Sequence, residues 1–327
     1  MIWHLLLGLF VILVGAEFFT NGVEWLGKNL NLSEGTVGNL LAAVGTALPE
    51  SIIPIVAFCS GSGHGDFIGM GAILGAPFML GTLAMFVTGF AARVIPSRRE
   101  KRYYLDVNVQ QIKHDLHFFL VMYGVIIIAG LVPGGWHKVL AFVLFGAYGF
   151  YVWQTVRQGR ELEEENLKPL YLTGQSKPQS IWIILQLALS LAAIIGGAQF
   201  FVSGIEEFAA LLGLNSLVVA LVIAPIATEL PEKFNSVIWI AHQKDGLALG
   251  NITGAMVFQS TIIPAFGLLA TDWVMEGVTM LSSSCVVASV LLLQETIRRK
   301  KYVASEALMV CGLGYLVFLL AIIWSIW

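Results

Sequence analysis

GAEFFTNGVE at residues 15–24 and GAQFFVSGIE at 197–206, with VGTALPE at 44–50 and IATELPE at 226–232, decide the fold. Shifting residues 15–50 by 182 positions lays them on 197–232 without a gap. Identities fall at Gly15, Ala16, Phe18, Phe19, Gly22, Glu24, Leu30, Leu32, Val37, Ala42, Thr46, Leu48, Pro49 and Glu50, which is 14 of 36 positions. Similarity of that density at a fixed offset marks an internal repeat. A shorter match pairs GAILGA at 71–76 with GNITGA at 250–255.

The repeat sits in a very apolar chain. Of 327 residues, 57% are hydrophobic and 12% charged, with a net charge of -3. An ordinary soluble protein carries about 25% charged residues. The mean hydropathy of +0.81 is more than a soluble domain of this size can bury. This composition excludes a nucleic-acid binder, a disordered chain and a secreted disulfide scaffold. Cys59, Cys285 and Cys311 lie in apolar stretches without metal-ligand spacing and read as packing residues. The opening MIWHLLLGLFVILVGAEFF has no basic leader and no small-residue cleavage site, so it reads as a retained first span.

A helix needs about 20 apolar residues to cross a bilayer. Ten segments qualify, at 2–26, 36–59, 67–92, 115–133, 137–156, 180–208, 215–241, 247–269, 274–294 and 303–326. Loops on alternate sides divide the basic residues unevenly, with 16 of the 18 Lys and Arg on one side. Lys138 falls on the other side and Lys233 inside a span. The basic side is expected to be cytoplasmic, leaving both termini outside. The predicted fold class is an all-α polytopic membrane protein of ten transmembrane helices. Its domains are a first five-span repeat at 1–156, a cytoplasmic linker at 157–179 and a second five-span repeat at 180–327. Five is odd, so the second repeat enters from the opposite side and the repeats are inverted, a recurring plan of secondary transporters.

Ionisable side chains inside spans are costly and usually functional. The sharpest group is Thr46, Glu50, Thr228, Glu229 and Glu232. Thr46 and Glu50 are four apart, as are Thr228 and Glu232, so each pair shares a helix face. Pro49 and Pro231 precede the two glutamates, and each frees a carbonyl one turn back. Carboxylate, hydroxyl and carbonyl oxygens together suit hard cations such as Ca2+ or Na+. Glu50 and Glu232 are expected to face each other across the two-fold relation of the repeats. Glu229, whose partner position is Ala47, reads as a third ligand or a proton carrier, or as a group turned to a water-filled vestibule. Gln259 offers one amide oxygen or a helix–helix hydrogen bond, and Asn251 and Thr253 rank below it.

Glu17, Asn21 and Glu24, with Gln199, Ser203 and Glu206 opposite, are expected to anchor a helix interface rather than line an access path. Glycines at 15, 22, 197 and 204 should let those spans pack closely. The run Glu161, Glu163, Glu164 and Glu165 reads as a solvated loop, and the basic loop 93–102 as a topology signal that touches anionic lipid heads.

Paired GTxLPE-type motifs five spans apart resemble the alpha repeats of the Ca2+/cation antiporter superfamily, and within it the sodium/calcium exchanger family. The resemblance runs over nearly the whole chain. It implies that Glu50 and Glu232 bind the transported ions, with Thr46 and Thr228 as supporting ligands and carbonyls near Ala43 and Pro225 assisting. The family's third and eighth spans read like GNxxGSNxxN. Here Ala76 and Ala255 stand where serine is usual, and the later polar position holds Leu80 in one repeat and Gln259 in the other.

The expected activity is therefore exchange of Ca2+ for Na+ across the cell membrane by alternating access, with cation binding at Glu50, Glu232, Thr46, Thr228, Glu229 and Gln259. Two alternatives stay open: cation/H+ exchange with Glu229 as the proton site, and a non-transporting sensor or scaffold of the same fold. No nucleophile–base pair, HExxH or phosphate-cradling loop points to an enzyme. No cofactor is expected; the ions are Ca2+, Na+ or H+. The expected partners are membrane lipids and inorganic cations, without nucleic acid, and the sequence assigns no oligomeric state.

Overall fold

A computed structural model describes residues 2–29, 48–61, 63–95, 103–157, 168–275 and 277–326. These residues are almost entirely helical. Helix α1 spans Ile2–Asn29, α2 Leu48–Cys59 and α3 Gly65–Met79. A π-helical turn, Leu80–Ala84, joins α3 to α4, Met85–Val94. Then come α5 Val109–Ala129, α6 His137–Arg157, α7 Ser180–Leu212 and α8 Ser216–Ala241. The chain continues through α9 Asp245–Gln259, α10 Ile262–Ala270, α11 Gly277–Lys300 and α12 Ser305–Ile326.

Among the described residues seven helical stretches are long and apolar enough to cross a membrane, at Trp3–Leu26, Gly65–Val94, Val109–Ala129, Ser180–Leu212, Asp245–Ala270, Gly277–Lys300 and Ser305–Trp324. The chain is a multi-pass membrane protein. A described helix overlaps each of the ten segments read from the sequence, and seven of the segments coincide with stretches long and apolar enough to span.

Helix α5 begins at Val109, six residues before the span expected at 115–133. The cause is local. Asn108 has extended backbone, and its Oδ1 accepts from the amides of Gln110 and Gln111, each at 3.2 Å. Such a cap starts a helix wherever it stands, and the polar first two turns follow.

The described chain divides into two compact units, Met1–Gly69 with Gly149–Ser216, and Met70–Tyr148 with Leu217–Trp327. The first unit is built on α1 and α7, packed antiparallel. A Cβ on Gly15 would lie 2.8 Å from Ile194 Cγ1, and one on Gly22 2.9 Å from Leu187 Cδ2. From the other side, a Cβ on Gly197 would lie 3.0 Å from the amide of Ile12, and one on Gly204 2.7 Å from Leu5 Cγ. These contacts exchange under the 182-residue shift: Gly15 on Ile194 becomes Gly197 on Ile12, and Gly22 on Leu187 becomes Gly204 on Leu5. Small residues at sevenfold spacing on both helices allow the close approach. Gly8 extends the series, with Phe201 N 2.6 Å from where its Cβ would stand.

One end of this pair is covered by the turn at 168–175, in which Leu170 bridges to Gln175 and Gly174 turns the chain at φ +67. Leu170 is fully buried with Trp25 and Ile183. Trp25 Nε1 donates to the Lys168 carbonyl at 3.0 Å.

In the second unit α8 lies against α3. Positions of a Cβ on Gly71 and Gly75 are occupied by the carbonyls of Leu217 and Leu221 and by Pro225. Pro225 has no amide hydrogen, so the Leu221 carbonyl lacks its donor one turn on. Elsewhere Gly89 packs on Ser305, and Tyr123 OH lies 3.3 Å from Ser283 Oγ between α5 and α11. Strands β1, Tyr104–Leu105, and β2, Val303–Ala304, pair antiparallel beside the start of α12. Trp273 is 1% exposed and donates to the Ile126 carbonyl at 3.2 Å.

A second offset, 179, relates α3 to α9. It carries Asp66 to Asp245, Gly71 to Gly250 and Thr82 to Thr261. Both threonines are fully buried, and each hydroxyl bonds the carbonyl four residues back, Phe78 at 2.5 Å and Val257 at 2.7 Å. Both stand where the helix departs from regularity. Thr82 lies in the π turn, and Thr261 (φ -133, ψ -76) lies in the break between α9 and α10. Side-chain bonding to the carbonyl ladder is a known cause of such bends.

Candidate functional site

Helix α8 carries three of the candidate ligands. Thr228 and Glu229 are 3% and 1% exposed. The Thr228 hydroxyl donates to the Ala224 carbonyl at 3.1 Å, which leaves its lone pairs able to accept. Glu232 stands on the same helix three residues beyond Glu229, and its side chain lies outside the described atoms.

Gln259 ends α9 and is 2% exposed. Its Nε2 donates to Glu229 Oε1. This contact joins two of the residues singled out in the sequence and makes them one buried unit. With the amide nitrogen turned to the carboxylate, the amide oxygen is the outer end. Gln259 Oε1 is buried and has no hydrogen-bond partner among the described residues. A buried acceptor in this condition costs stability unless something positive meets it. The amide is joined to the Glu229 carboxylate, and Thr228, beside Glu229 on α8, carries a hydroxyl. Among the described residues no three His, Cys, Asp or Glu side chains converge on one point.

Glu50 belongs to the first unit. It sits in the first turn of α2 and is 6% exposed. Thr46 lies outside the described residues, as do the glutamates at 161, 163, 164 and 165 and most of the basic loop 93–102.

The polar residues of α1 fall at a helix interface. Asn21 is 4% exposed; its Nδ2 donates to the carbonyls of Lys168 and Pro169, each at 3.4 Å. Its Oδ1 accepts from Tyr171 N at 3.1 Å and from Gln186 Nε2 at 3.0 Å. Glu17 accepts from Tyr171 OH at 2.7 Å. Gln199 and Ser203, expected to anchor the interface opposite them, are exposed instead, on the stretch of α7 that meets the start of α1 through Gly197 and Gly204.

Sequence reading missed Gln186, Asp115, Thr82 and Thr261. Gln186 is 1% exposed, donates to the Phe18 carbonyl at 2.8 Å and accepts from Leu172 N at 2.8 Å. Asp115 was hidden at the edge of an expected span. The 179-residue offset already carried Thr82 and Thr261, once extended beyond 71–76.

A family model described as sodium/calcium exchanger protein matches residues 1–156 and 182–324. The chain is 26% identical over 290 residues to an uncharacterized membrane protein of Methanocaldococcus jannaschii, covering 88% of this chain and 87% of that one. It is 27% identical over 328 residues to the putative antiporter CaxA of Alkalimonas amylolytica, covering 95% of each. Among solved structures it shares its fold with the H+/Ca2+ exchanger CAX, with a TM-score of 0.77 and 18% identity over 98% of this chain and 81% of the other.

Proposed function

The chain belongs to the sodium/calcium exchanger protein family, and from that premise we propose that it exchanges Ca2+ for Na+ across the cell membrane by alternating access. The observation that carries this reading is the buried Glu229–Gln259 pair with Gln259 Oε1 left over. A carboxylate and an amide oxygen in an apolar helix pair form half of a hard-cation cage. Thr228 on the same helix adds a hydroxyl oxygen, and Glu232, one turn from Thr228, adds the second carboxylate. Glu50, with Thr46 four residues before it in sequence, supplies the matching set from the first five-span repeat, 1–156. The second repeat, 180–327, is inverted with respect to it, the linker 157–179 is cytoplasmic, and both termini face outward.

Exchange follows from shared ligands. Buried carboxylates repel unless a cation or proton lies between them. Ca2+ and the coupling ion therefore occupy the same oxygens in turn, and inward flow of one down its gradient drives the other out. A second reading, Ca2+ for H+, is favoured by Glu229, a buried carboxylate with no counterpart at Ala47. The test is 45Ca2+ uptake into proteoliposomes under an outward Na+ gradient and, in parallel, an outward H+ gradient. Uptake under Na+ alone supports the first reading, uptake under H+ alone supports the second, and no uptake under either rejects both.

A further inference from the structure

We propose that Asp115 is a positioning residue for the cation site: through Thr253 it sets the rotation of α9 and thereby aims Gln259. This inference rests on the reading of Glu229 and Gln259 as cation ligands.

Asp115 lies six residues after the start of α5, in a stretch apolar enough to span a membrane, and is 1% exposed. A carboxylate held there is costly without polar partners. Its Oδ2 accepts from Thr253 Oγ1 at 2.9 Å. Thr253 is fully buried, and its one hydroxyl proton has a poorer alternative in the Gly250 carbonyl at 3.5 Å. The side-chain bond is the shorter and joins α5 to α9. His114 Nδ1 approaches the other carboxylate oxygen at 3.7 Å.

Among the described residues side-chain hydrogen bonds hold α9 at several points along its length, one of them from Ser236 Oγ of α8 to the Ala248 carbonyl at 3.4 Å. At its start Asp245, 1% exposed, accepts from the amide of Asp106 at 2.8 Å. Midway Thr253 meets Asp115. At its end Gln259 meets Glu229. Beyond Gln259 the helix breaks at Ser260 and Thr261, so regular helix cannot fix its orientation from that side. Thr253 and Gln259 are six residues apart, which is about 9 Å along the axis and roughly 120° around it. One faces α5 and the other α8. A rotation that breaks the first contact also swings the second out of place.

The first half supplies the contrast. By the 179-residue offset Thr253 corresponds to Leu74 and Gln259 to Leu80, both fully buried and apolar. The helix that has the amide ligand also has the tether, and the helix without the ligand has neither.

The test uses full-length protein in detergent, with apparent Ca2+ affinity read from the Ca2+-dependent rise in thermal midpoint, and flux measured in proteoliposomes. Thr253→Val should weaken apparent Ca2+ affinity about tenfold, the scale of one buried hydrogen bond. Thr253→Ser and Asp115→Asn, which keep the donor–acceptor pair, should bind within about twofold of wild type. In a Gln259→Leu background Thr253→Val should cause no further loss. Unchanged affinity in Thr253→Val, additive losses in the double variant, or loss of binding in Asp115→Asn would each overturn the inference. Wild-type protein that binds Ca2+ but does not exchange it refutes the transport reading alone. Wild-type protein that binds no Ca2+ overturns both.

Discussion

Gln259 turns its side-chain nitrogen to the Glu229 carboxylate and leaves its carbonyl oxygen buried without a hydrogen-bond partner among the described residues. Thirty residues apart in sequence, the two end up as one polar feature between α8 and α9. The pair is asymmetric between the halves, because Ala47 and Leu80 stand at the corresponding places of the first repeat. If this pair is the second repeat's share of the cation site, its two members should respond differently to substitution.

Gln259→Leu makes the second half copy Leu80 of the first. It removes the buried amide oxygen, a ligand in the proposed site, and the donor to Glu229 together. The half-saturating Ca2+ concentration for uptake should rise by about tenfold or more, with the protein still folded. Concentration-dependent 45Ca2+ uptake and size-exclusion behaviour measure the two quantities. An unchanged half-saturation would remove Gln259 from the site.

Glu229→Gln keeps the shape and removes the charge. Under Na+ coupling the variant should retain Na+-driven Ca2+ uptake at lower affinity. Under H+ coupling it should lose H+-driven uptake altogether, because the titrating group is gone. Parallel flux assays under the two gradients separate these outcomes.

The α1–α7 contact predicts opposite effects at adjacent glycines. Gly197→Ala places a methyl 2.9 Å from the Gly8 carbonyl and 3.0 Å from the Ile12 amide, so the helices must part and the thermal midpoint should fall. Gly196→Ala meets nothing within 4 Å. That substitution should hold or raise the midpoint, since alanine favours helix over glycine by about 1 kcal/mol. Gly15→Ala should behave like Gly197→Ala, because the 182-residue shift makes the two contacts equivalent. A fall in Gly196→Ala as large as in Gly197→Ala would mean that the close approach is not what these glycines serve.

Asn21→Leu should release the 168–175 turn. The change strands the Tyr171 amide and leaves Gln186 Nε2 with only the Phe18 carbonyl. A loss of about 2 kcal/mol is expected for stranded buried polar groups, with faster proteolysis within 157–179. The turn should also tolerate alkali. Burial, and then the hydrogen bond to Glu17, push the Tyr171 phenol up from its usual 10.0. A raised value favours the protonated donor, so this contribution is complete below the ordinary tyrosine range and is lost only as pH climbs through the raised value. Proteolysis that accelerates already near pH 9 would contradict this.

Much of the fold was legible because its signals are local. The 182-residue repeat, the apolar segments and the glycines at 15, 22, 197 and 204 all lie in single stretches of chain. The packing of α1 on α7 follows from them, since only residues without side-chain bulk let two helices approach so closely. What sequence could not reach depends on contacts between segments. The Glu229–Gln259 bond pairs residues from two helices, and neither residue names the other. Asp115 escaped notice because hydropathy places a span's edge where apolar residues begin, whereas the helix begins at its cap, Asn108. Gln186 looked like one polar residue in an apolar helix until the 168–175 turn came to rest on it. Of the six candidate ligands, Glu50, Thr228, Glu229 and Gln259 prove buried, while Thr46 and the side chain of Glu232 lie outside the described residues.

The central claim is that paired carboxylates of the two LPE motifs carry exchanged Ca2+. The most direct measurement is 45Ca2+ uptake into proteoliposomes under an outward Na+ gradient by wild-type protein, Glu50→Gln and Glu232→Gln, each reconstituted as folded protein in equal amount. The account predicts Na+-driven uptake in wild type and none above empty liposomes in either variant. Normal uptake in either variant would contradict it.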